Sequence, residues 1–486
     1  MIKRAENARI ITGFGWAFAE RISAQLISVI LSIGLARIVA PEDYGVLAIV
    51  NVFVAIGDAL VSGGFGVALV QSKETTHSDF DTIHALSLGV AAFLYGVLFI
   101  VSPLIAQFYA LADLVLLVLV LGIRLFFSAI NSVQYAYVQK HMAFRKTFIA
   151  STAGTVISGV IGIIMAAYGA GVWALVVQYL LQVVLTTFFM FFVLDWKPRF
   201  HWCFPTLRRM WKYGASVFLA TAIDTLKENV RSLVIGKVYS SADLAFFNQG
   251  KRFPHLLSND LVSSVGKVLL PVFSLSQDSK KDSLEILRVS VRLSSFAFLP
   301  LIFGLLGVAD TFVLVFLTER WMPCVPYLRI LSLAYATRPM STIFKNSLLA
   351  VGRSDVNLVH EALTFALTTT LTFVAAVFYR DVRLVAWSYV IVSAIGTLLF
   401  SYYVTKEYSY SLLQIMQDYL PSFCVSSVMA LLVFKMGRLP LTLPVKLGSQ
   451  VIGGMTIYLG LASVFRMPEL VYMKKHLKRV LHKGSL

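Results

Sequence analysis

Charged and amide side chains recur within segments of this chain that are otherwise apolar. Their spacings of three, four and seven residues place them on one face of a helix. A charge at the bilayer centre costs about 2.5–3.5 kcal/mol on insertion scales, so such residues normally face a partner or a water-filled cavity. The candidate cavity residues are Arg21, Gln25, Asn51, Arg124, Asn131, Lys227, Arg231, Lys251, Arg252, His255, Arg338 and Lys345. The carboxylates that share these faces, Asp58, Asp224 and Glu228, are candidates for ion coupling.

The deep charge balance is positive, since eight basic residues stand against five acidic ones. The basic set is Arg21, Arg124, Lys227, Arg231, Lys251, Arg252, Arg338 and Lys345. The acidic set is Glu20, Asp58, Asp224, Glu228 and Asp260. A cationic cavity suits an anionic cargo, and arginine in particular suits phosphate. The simpler interpretation is ion pairs that only hold helices together, and it is equally favoured for Asp224, Lys227, Glu228 and Arg231. Arg124 has no acidic neighbour on its own helix, so a cavity-facing position is favoured there.

Composition defines the elements that must position these residues. Of 486 residues, 58% are apolar and 14% are charged, and the mean hydropathy is +0.78. These values exclude a soluble, a disordered or a β-barrel protein and indicate a polytopic α-helical membrane protein. The net charge of +17 does not indicate nucleic acid, because most loop lysines and arginines fall in loops that would be cytoplasmic.

Fourteen apolar segments are long enough, or nearly so, to span a bilayer. They are residues 13–39, 44–70, 80–107, 114–138, 148–168, 172–194, 213–238, 242–272, 287–316, 327–350, 358–378, 384–405, 420–434 and 447–465. The thirteenth is short for a span. An even count and the positive-inside rule place both termini in the cytoplasm. All seven tryptophans fall near predicted helix ends, as in an interfacial aromatic belt.

The polar faces fall on predicted helices 1, 2 and 4 and again on 7, 8 and 10, which differ by six. Residues 36–45 also resemble residues 236–245, at an offset of 200. We therefore expect two pseudo-symmetric six-helix lobes plus two C-terminal helices, with the cavity between the lobes. The predicted parts are residues 1–196 (first lobe), 197–212 (basic cytoplasmic linker), 213–405 (second lobe) and 406–486 (helices 13 and 14 with a basic cytoplasmic tail).

The chain lacks the motifs of the enzymes that could act at this place. No GxxxxGK[ST], HExxH or GxSxG element occurs, and the predicted external loops are too short for the catalytic site of a polysaccharide polymerase. The three cysteines have no companion ligands at metal spacing. We therefore expect a protein that is not an enzyme and has neither cofactor nor metal site.

Several loose motifs, taken in order, make the chain resemble the polysaccharide exporters of the multidrug, oligosaccharidyl-lipid and polysaccharide flippase superfamily. The resemblance is nearest to exporters of lipopolysaccharide, colanic acid and teichuronic acid. The segments that carry it are 35–37, 41–45, 64–71, 269–274 and the Arg320-Trp321 turn.

This resemblance implies a flippase of the bacterial cytoplasmic (inner) membrane that serves the biosynthesis of a cell-surface polysaccharide. The cargo would be an oligosaccharide linked through pyrophosphate to a polyprenyl lipid, and the lobes would alternate access to the two sides of the membrane. A proton or sodium gradient would supply the energy. Membrane lipids are the implied surroundings, and polymerases and glycosyltransferases of the same pathway are the implied partners, without nucleic acid.

Three other functions remain open at the level of sequence. A multidrug or small-metabolite exporter of the same fold is the main alternative, although its usual cationic cargo would favour an acidic, aromatic cavity. A polymerase or ligase would need an essential residue in an external loop. A scaffold without transport would tolerate every cavity substitution that preserves folding.

Overall fold

The computed structural model describes residues 25–62, 64–72, 75–199, 201–275 and 279–470, and these residues are helical with no strand among them. The first ten helices are α1 Gln25–Ile38, α2 Pro41–Ser62, α3 Phe65–Gln71, α4 His77–Tyr109, α5 Leu114–Gly122, α6 Arg124–His141, α7 Phe144–Ala167, α8 Val172–Val193, α9 Phe204–Val238 and α10 Ser241–Leu275. The others are α11 Lys280–Phe316, α12 Val325–Ala336, α13 Arg338–Ala350, α14 Ser354–Val374, α15 Val382–Tyr408, α16 Leu412–Met436 and α17 Leu443–Val464. A 3-10 helix at Glu319–Cys324 precedes α12, and a π-helix at Ala375–Tyr379 extends α14.

Each predicted span corresponds to helix in the described residues, but three of them are broken in two. The breaks lie between α2 and α3, between α5 and α6, and between α12 and α13. Ten helical segments in the described part of the chain are long and apolar enough to cross a membrane. Predicted helices 1, 7, 8 and 10 are not among these ten, and all four were assigned polar faces. The protein is therefore an all-helical polytopic membrane protein, and fourteen spans remain a prediction.

The chain divides into two compact units, Met1–Ala245 and Phe246–Leu486. The division falls inside α10, later in the chain than the predicted linker. Helix α9, which was expected to open the second lobe, packs against α2, α3 and α4 of the first unit. The division into sequence repeats at residues 197–212 therefore remains a prediction, distinct from these units.

Two motif glycines allow close backbone approaches within the first unit. A Cβ at Gly45 would lie 1.8 Å from the carbonyl oxygen of Ser241, and a Cβ at Gly64 would lie 2.4 Å from that of Gly214. No side chain fits at either point without displacing backbone. The 41–45 and 64–71 motifs therefore record helix packing, of α2 against the start of α10 and of α3 against α9.

Two buried aspartates at the start of α4 hold the predicted linker, residues 197–212, the second half of which forms the start of α9. Asp81 Oδ1 accepts hydrogen bonds from Trp196 Nε1 at 3.1 Å and from the backbone N–H of Arg199 at 3.3 Å. Asp79 Oδ1 accepts from Thr206 Oγ1 at 2.5 Å and pairs with Arg209 at 2.9 Å. The linker is thus a docked part of the first unit. Its contact with the start of α4 agrees with the predicted topology, which places both on one side of the membrane.

The linker also corrects one expectation about the tryptophans. Trp196 is buried, and its ring packs against Phe80, His84 and Tyr137. Trp321 in the second unit is also buried, against Phe246. These two tryptophans are core residues, not members of an interfacial belt, because each closes a helix end over a hydrophobic cluster.

Replacing both Asp79 and Asp81 with alanine is expected to release the linker to trypsin. Arg199 and Arg208 are exposed, so cleavage after them is limited by how far the docked backbone opens. Loss of several hydrogen bonds, each worth about 1 kcal/mol net, should raise the cleavage rate of membrane-embedded protein at least tenfold.

Asp195→Ala provides the matched control. Asp195 is exposed, and the hydrogen bond from Lys146 Nζ at 2.9 Å lowers its pKa, so it remains an ionised surface partner. Surface pairs contribute little, and cleavage should stay within about twofold of the wild-type rate. Equal rates for the double variant and the wild type would show that the carboxylates do not hold the linker.

The second unit is organised around α11, which packs against α12, α13, α16 and α17. Helix α16 begins eight residues before the predicted start of helix 13, because Ser411 and Gln414 form a capping box there. With 25 residues α16 is long enough to span a bilayer, so the predicted shortness of helix 13 was wrong. The longer helix also brings Asp418 into the protein interior.

Candidate functional site

The first unit joins two of the predicted site residues in an ion pair. Arg124 Nε of α6 lies 2.9 Å from Asp58 Oδ2 of α2, and both side chains are mostly buried. The leucine that follows Arg124 packs directly on Gly57, so the two helices are in close contact at this level. Arg124 therefore has an acidic partner on a neighbouring helix, which its own helix did not reveal.

Helix α9 carries the four residues for which mutual neutralisation was an equal alternative. Lys227 Nζ lies 3.2 Å from Asp224 Oδ1, as the i, i+3 spacing allows. Asp224 is largely exposed, whereas the Arg231 side chain is only 6% exposed. Asp224 and Lys227 thus neutralise each other on one helix. Arg231 and Glu228 make further interactions of their own.

The amide residues of the first unit are half-buried or buried. Gln25 and Asn51 are half-buried on α1 and α2, and Asn131 is buried on α6. Within the described residues, Asn131 Oδ1 has no hydrogen-bond partner. One helical turn later, Gln134 Nε2 donates to the carbonyl oxygen of Thr187 on α8 at 3.4 Å. Arg21 lies outside the described residues.

In the second unit, the polar residues of α10 face aromatic rings. Lys251 Nζ lies 5.6 Å from the ring centroid of Tyr389, within the range of a cation–π interaction. The His255 ring packs edge-on against Tyr335 at 6.0 Å, and the Tyr335 and Tyr389 hydroxyls are 3.3 Å apart. The sequence pattern did not include these two tyrosines, whose hydroxyls extend the polar face from α10 to α12 and α15.

The remaining basic residues of the second unit differ in their partners. Arg252 is half-buried and forms no ion pair with any residue that the structure describes. Lys345 Nζ lies 3.8 Å from Glu361 Oε1, which partly offsets its charge. Arg338 also has a polar, ring or electrostatic contact with another part of the chain. Of these three, Arg252 is the side chain best able to offer its full charge to a cargo.

Two of the helix breaks place an arginine at the same local position. Arg124 is the first residue of α6, after the break at Ile123, and Arg338 is the first residue of α13, after the break at Thr337. These helices are predicted spans 4 and 10, which correspond by the offset of six. In both, the residue at the break keeps a right-handed helical conformation, and no side chain caps the helix that follows.

One charged cluster was not predicted. Asp418 on α16 is 1% exposed and binds two arginines of α11, Arg288 and Arg292. Tyr410 Oη donates to Asp418 Oδ2 at 2.8 Å. The i, i+4 spacing of Arg288 and Arg292 was a signal in the sequence, but the misplaced start of helix 13 left their acidic partner outside the predicted helix.

The polar faces thus carry groups that can hold an anion. Among the described residues of these faces, three ion pairs, Asp58–Arg124, Asp224–Lys227 and Lys345–Glu361, offset equal numbers of positive and negative charges. The other described basic residues (Arg231, Lys251, Arg252 and Arg338) outnumber the other described carboxylate, Glu228, so a basic excess remains. Tyrosine hydroxyls and buried amides add hydrogen-bonding groups of the kind that bind sugars or phosphate oxygens.

These features define a helical membrane protein with polar, predominantly basic faces on broken helices, the class of transporters. The chain belongs to the polysaccharide biosynthesis protein family, whose model matches residues 34–326. Teichuronic acid biosynthesis protein TuaB of Bacillus subtilis is 23% identical over 432 residues, with 88% of each chain covered. Lipopolysaccharide biosynthesis protein WzxC of Escherichia coli is 22% identical, with 76% of this chain and 74% of that protein covered. The resemblance stated from the sequence motifs is confirmed.

Two solved structures have a similar fold. The lipid II flippase MurJ in an inward closed conformation matches with a TM-score of 0.75 at 15% identity, covering 94% of this chain and 98% of that one. An inward-facing multidrug resistance MATE transporter matches with a TM-score of 0.63 at 13% identity, covering 80% and 96%. The chain is therefore a multi-pass membrane protein with a MurJ-like and MATE-like fold. The predicted inner-membrane location agrees with these findings.

Proposed function

We propose that the protein is a flippase that moves a polyprenyl-pyrophosphate-linked oligosaccharide across the cytoplasmic membrane for the synthesis of a surface polysaccharide. One observation carries the proposal: the polar helix faces keep a basic excess after their ion pairs are counted, in a chain of the polysaccharide biosynthesis protein family. Pyrophosphate is anionic, and arginine matches its geometry.

In this proposal the six-helix repeats, residues 1–196 and 213–405, enclose a cationic path for pyrophosphate and sugar, while the lipid tail stays in the bilayer. Arg252 is proposed to contact the pyrophosphate with its full charge. Arg124 and Arg338 lie at the helix breaks. Asp58, Asp224 and Glu228 are the carboxylates through which a proton or sodium gradient could couple. The protein would act without catalysis, beside the polymerase and glycosyltransferases of its pathway.

A multidrug or small-metabolite exporter is the second candidate, favoured by the likeness to a MATE transporter fold. The charge of the faces separates the two functions, because a cationic drug would be repelled by Arg231, Arg252 and Arg338. Drug sensitivity of a deletion strain, with normal surface polysaccharide, would favour this second candidate.

The proposed function is tested by a flipping assay in reconstituted vesicles. A polyprenyl-pyrophosphate oligosaccharide is placed on one leaflet, and its appearance on the other is measured with a sugar-cleaving enzyme. We expect exposure that depends on the protein, and a loss of at least tenfold in rate for Arg252→Ala, since a charge-assisted contact to phosphate is worth about 1.5–3 kcal/mol.

Arg383→Ala is the matched control, because Arg383 is an exposed arginine at the start of α15. It should flip the lipid at the wild-type rate. Absence of exposure with gradients of either sign and several glycans would contradict the flippase. Full activity of Arg252→Ala would remove Arg252 from the path while leaving the flippase itself standing.

A further inference from the structure

Asp418 gathers two arginines at one point of the second unit. Arg288 donates through Nε and a terminal nitrogen to the two carboxylate oxygens, at 2.8 and 3.1 Å, and Arg292 Nε donates to Oδ1 at 2.6 Å. Burial raises the pKa of Tyr410, so its hydroxyl stays protonated and donates to Asp418 as well. The carboxylate is saturated, and the cluster retains one net positive charge.

Both guanidinium groups keep an accessible side. The side chains of Arg288 and Arg292 are 31% and 36% exposed, although their shared partner is buried. Each guanidinium has five N–H donors, and Asp418 uses only some of them. Two arginines fixed side by side, with donors left over, form the arrangement that binds a phosphate group through several charge-assisted hydrogen bonds.

Helix lengths place this cluster at the level of lipid headgroups. Arg292 lies 24 residues before Phe316 at the end of α11, which is about 36 Å at 1.5 Å per residue. Asp418 lies 18 residues before Met436 at the end of α16, or about 27 Å. The hydrocarbon core is about 30 Å thick, so both positions fall at its edge, on the predicted cytoplasmic side.

One apolar side chain beside the arginines is exposed. Val289 follows Arg288 on α11 and lies one turn before Arg292. Exposed apolar side chains on a membrane helix contact acyl chains. A phosphate that reaches Arg288 and Arg292 at headgroup level is therefore most readily one carried by a lipid beside α11.

We propose that Arg288 and Arg292, positioned by Asp418 and Tyr410, bind the phosphate of a lipid headgroup in the adjoining leaflet. The carrier is either an anionic phospholipid or a polyprenyl pyrophosphate, which present the same chemistry. The site lies outside the polar faces assigned to the transport path, and it stands whether or not the protein flips a glycolipid.

Retention of lipid by the purified full-length protein tests this site, read by native mass spectrometry. The probes are phosphatidylglycerol, polyprenyl pyrophosphate and, as a reference without phosphate, diacylglycerol. Arg292→Gln is the variant, because it leaves Asp418 with the bidentate Arg288 and Tyr410 and so preserves the contact between α11 and α16. Lys281→Gln, an exposed charge in the first turn of α11, is the control.

We expect Arg292→Gln to lower retention of at least one phosphate-bearing lipid about tenfold, with diacylglycerol unaffected and Lys281→Gln within twofold of wild type. The lipid that shows the loss identifies the source of the phosphate. An equal loss in both variants would overturn the site in favour of diffuse surface attraction, and retention unchanged by Arg292→Gln would also overturn it. Retention of diacylglycerol equal to that of both phosphate-bearing lipids would refute a phosphate site. An unchanged unfolding temperature of Arg292→Gln verifies its fold.

Discussion

Replacing Asp418 with alanine is expected to lower the free energy of unfolding by about 3–5 kcal/mol, the usual cost of removing one partner from a buried ion pair. The substitution leaves two guanidinium groups without their shared acceptor and the Tyr410 hydroxyl without a partner. It also removes the polar link between α11 and α16. The measurement is thermal or denaturant unfolding of detergent-purified protein, with the amount of protein in the membrane as a second readout.

Asp355→Ala is the matched control for this prediction. Asp355 also pairs with an arginine, Arg353 at 2.9 Å, but its side chain is 61% exposed. An exposed pair is worth about 0–1 kcal/mol, so this variant should unfold close to the wild-type midpoint. If Asp418→Ala unfolded no more easily than Asp355→Ala, the cluster would be a surface feature that contributes little to the fold.

The second large effect is expected at Arg124, whose removal should lower the rate of lipid flipping at least thirtyfold. Truncating one member of a close, desolvated charge pair typically costs about 2–5 kcal/mol, and here it also leaves Asp58 without a cation. A structural role and a transport role both predict this loss in the single variant. The Asp58→Ala/Arg124→Ala double variant separates them, because it removes both charges together.

If the pair only holds α2 against α6, the double variant should recover accumulation and transport relative to Arg124→Ala, since it no longer leaves Asp58 as a lone buried charge. If Arg124 serves the cargo or Asp58 serves ion coupling, the double variant should accumulate normally and still fail to flip lipid. We expect the second outcome, because Arg124 lies at a helix break and Arg338 lies at a similar break in the second unit.

Hydrophobic length was sufficient to predict where most of the described helices lie. Spans such as 172–194 and 384–405 coincide with α8 and α15 within a few residues, because a bilayer demands a continuous apolar helix. The start of α16 was missed since its first turn is set by a local capping box at Ser411 and not by apolar content. The breaks at Ile123 and Thr337 were missed because both lie within apolar sequence, where hydropathy does not mark them.

The site was predictable as a set of residues but not as a set of contacts. Helical periodicity placed Arg124 and Asp58 on polar faces, yet only the packing of α2 on α6 makes them partners. The tyrosines beside Lys251 and His255 come from α12 and α15, at sequence distances that no local pattern relates. Periodicity reports the face of one helix, whereas pairing depends on which helices are neighbours.

Because the linker is docked on α4, the predicted sequence repeats and the compact structural units of this protein do not coincide. The predicted sequence repeats meet at residues 197–212, but Asp79 and Asp81 fasten that stretch to α4, and α9 packs on α2 beyond it. The predicted sequence repeats and the compact structural units therefore have different boundaries in this chain. A motion that separated α9 from α4 would have to break these buried hydrogen bonds. A motion in which α9 moved together with the rest of the first unit would leave them intact.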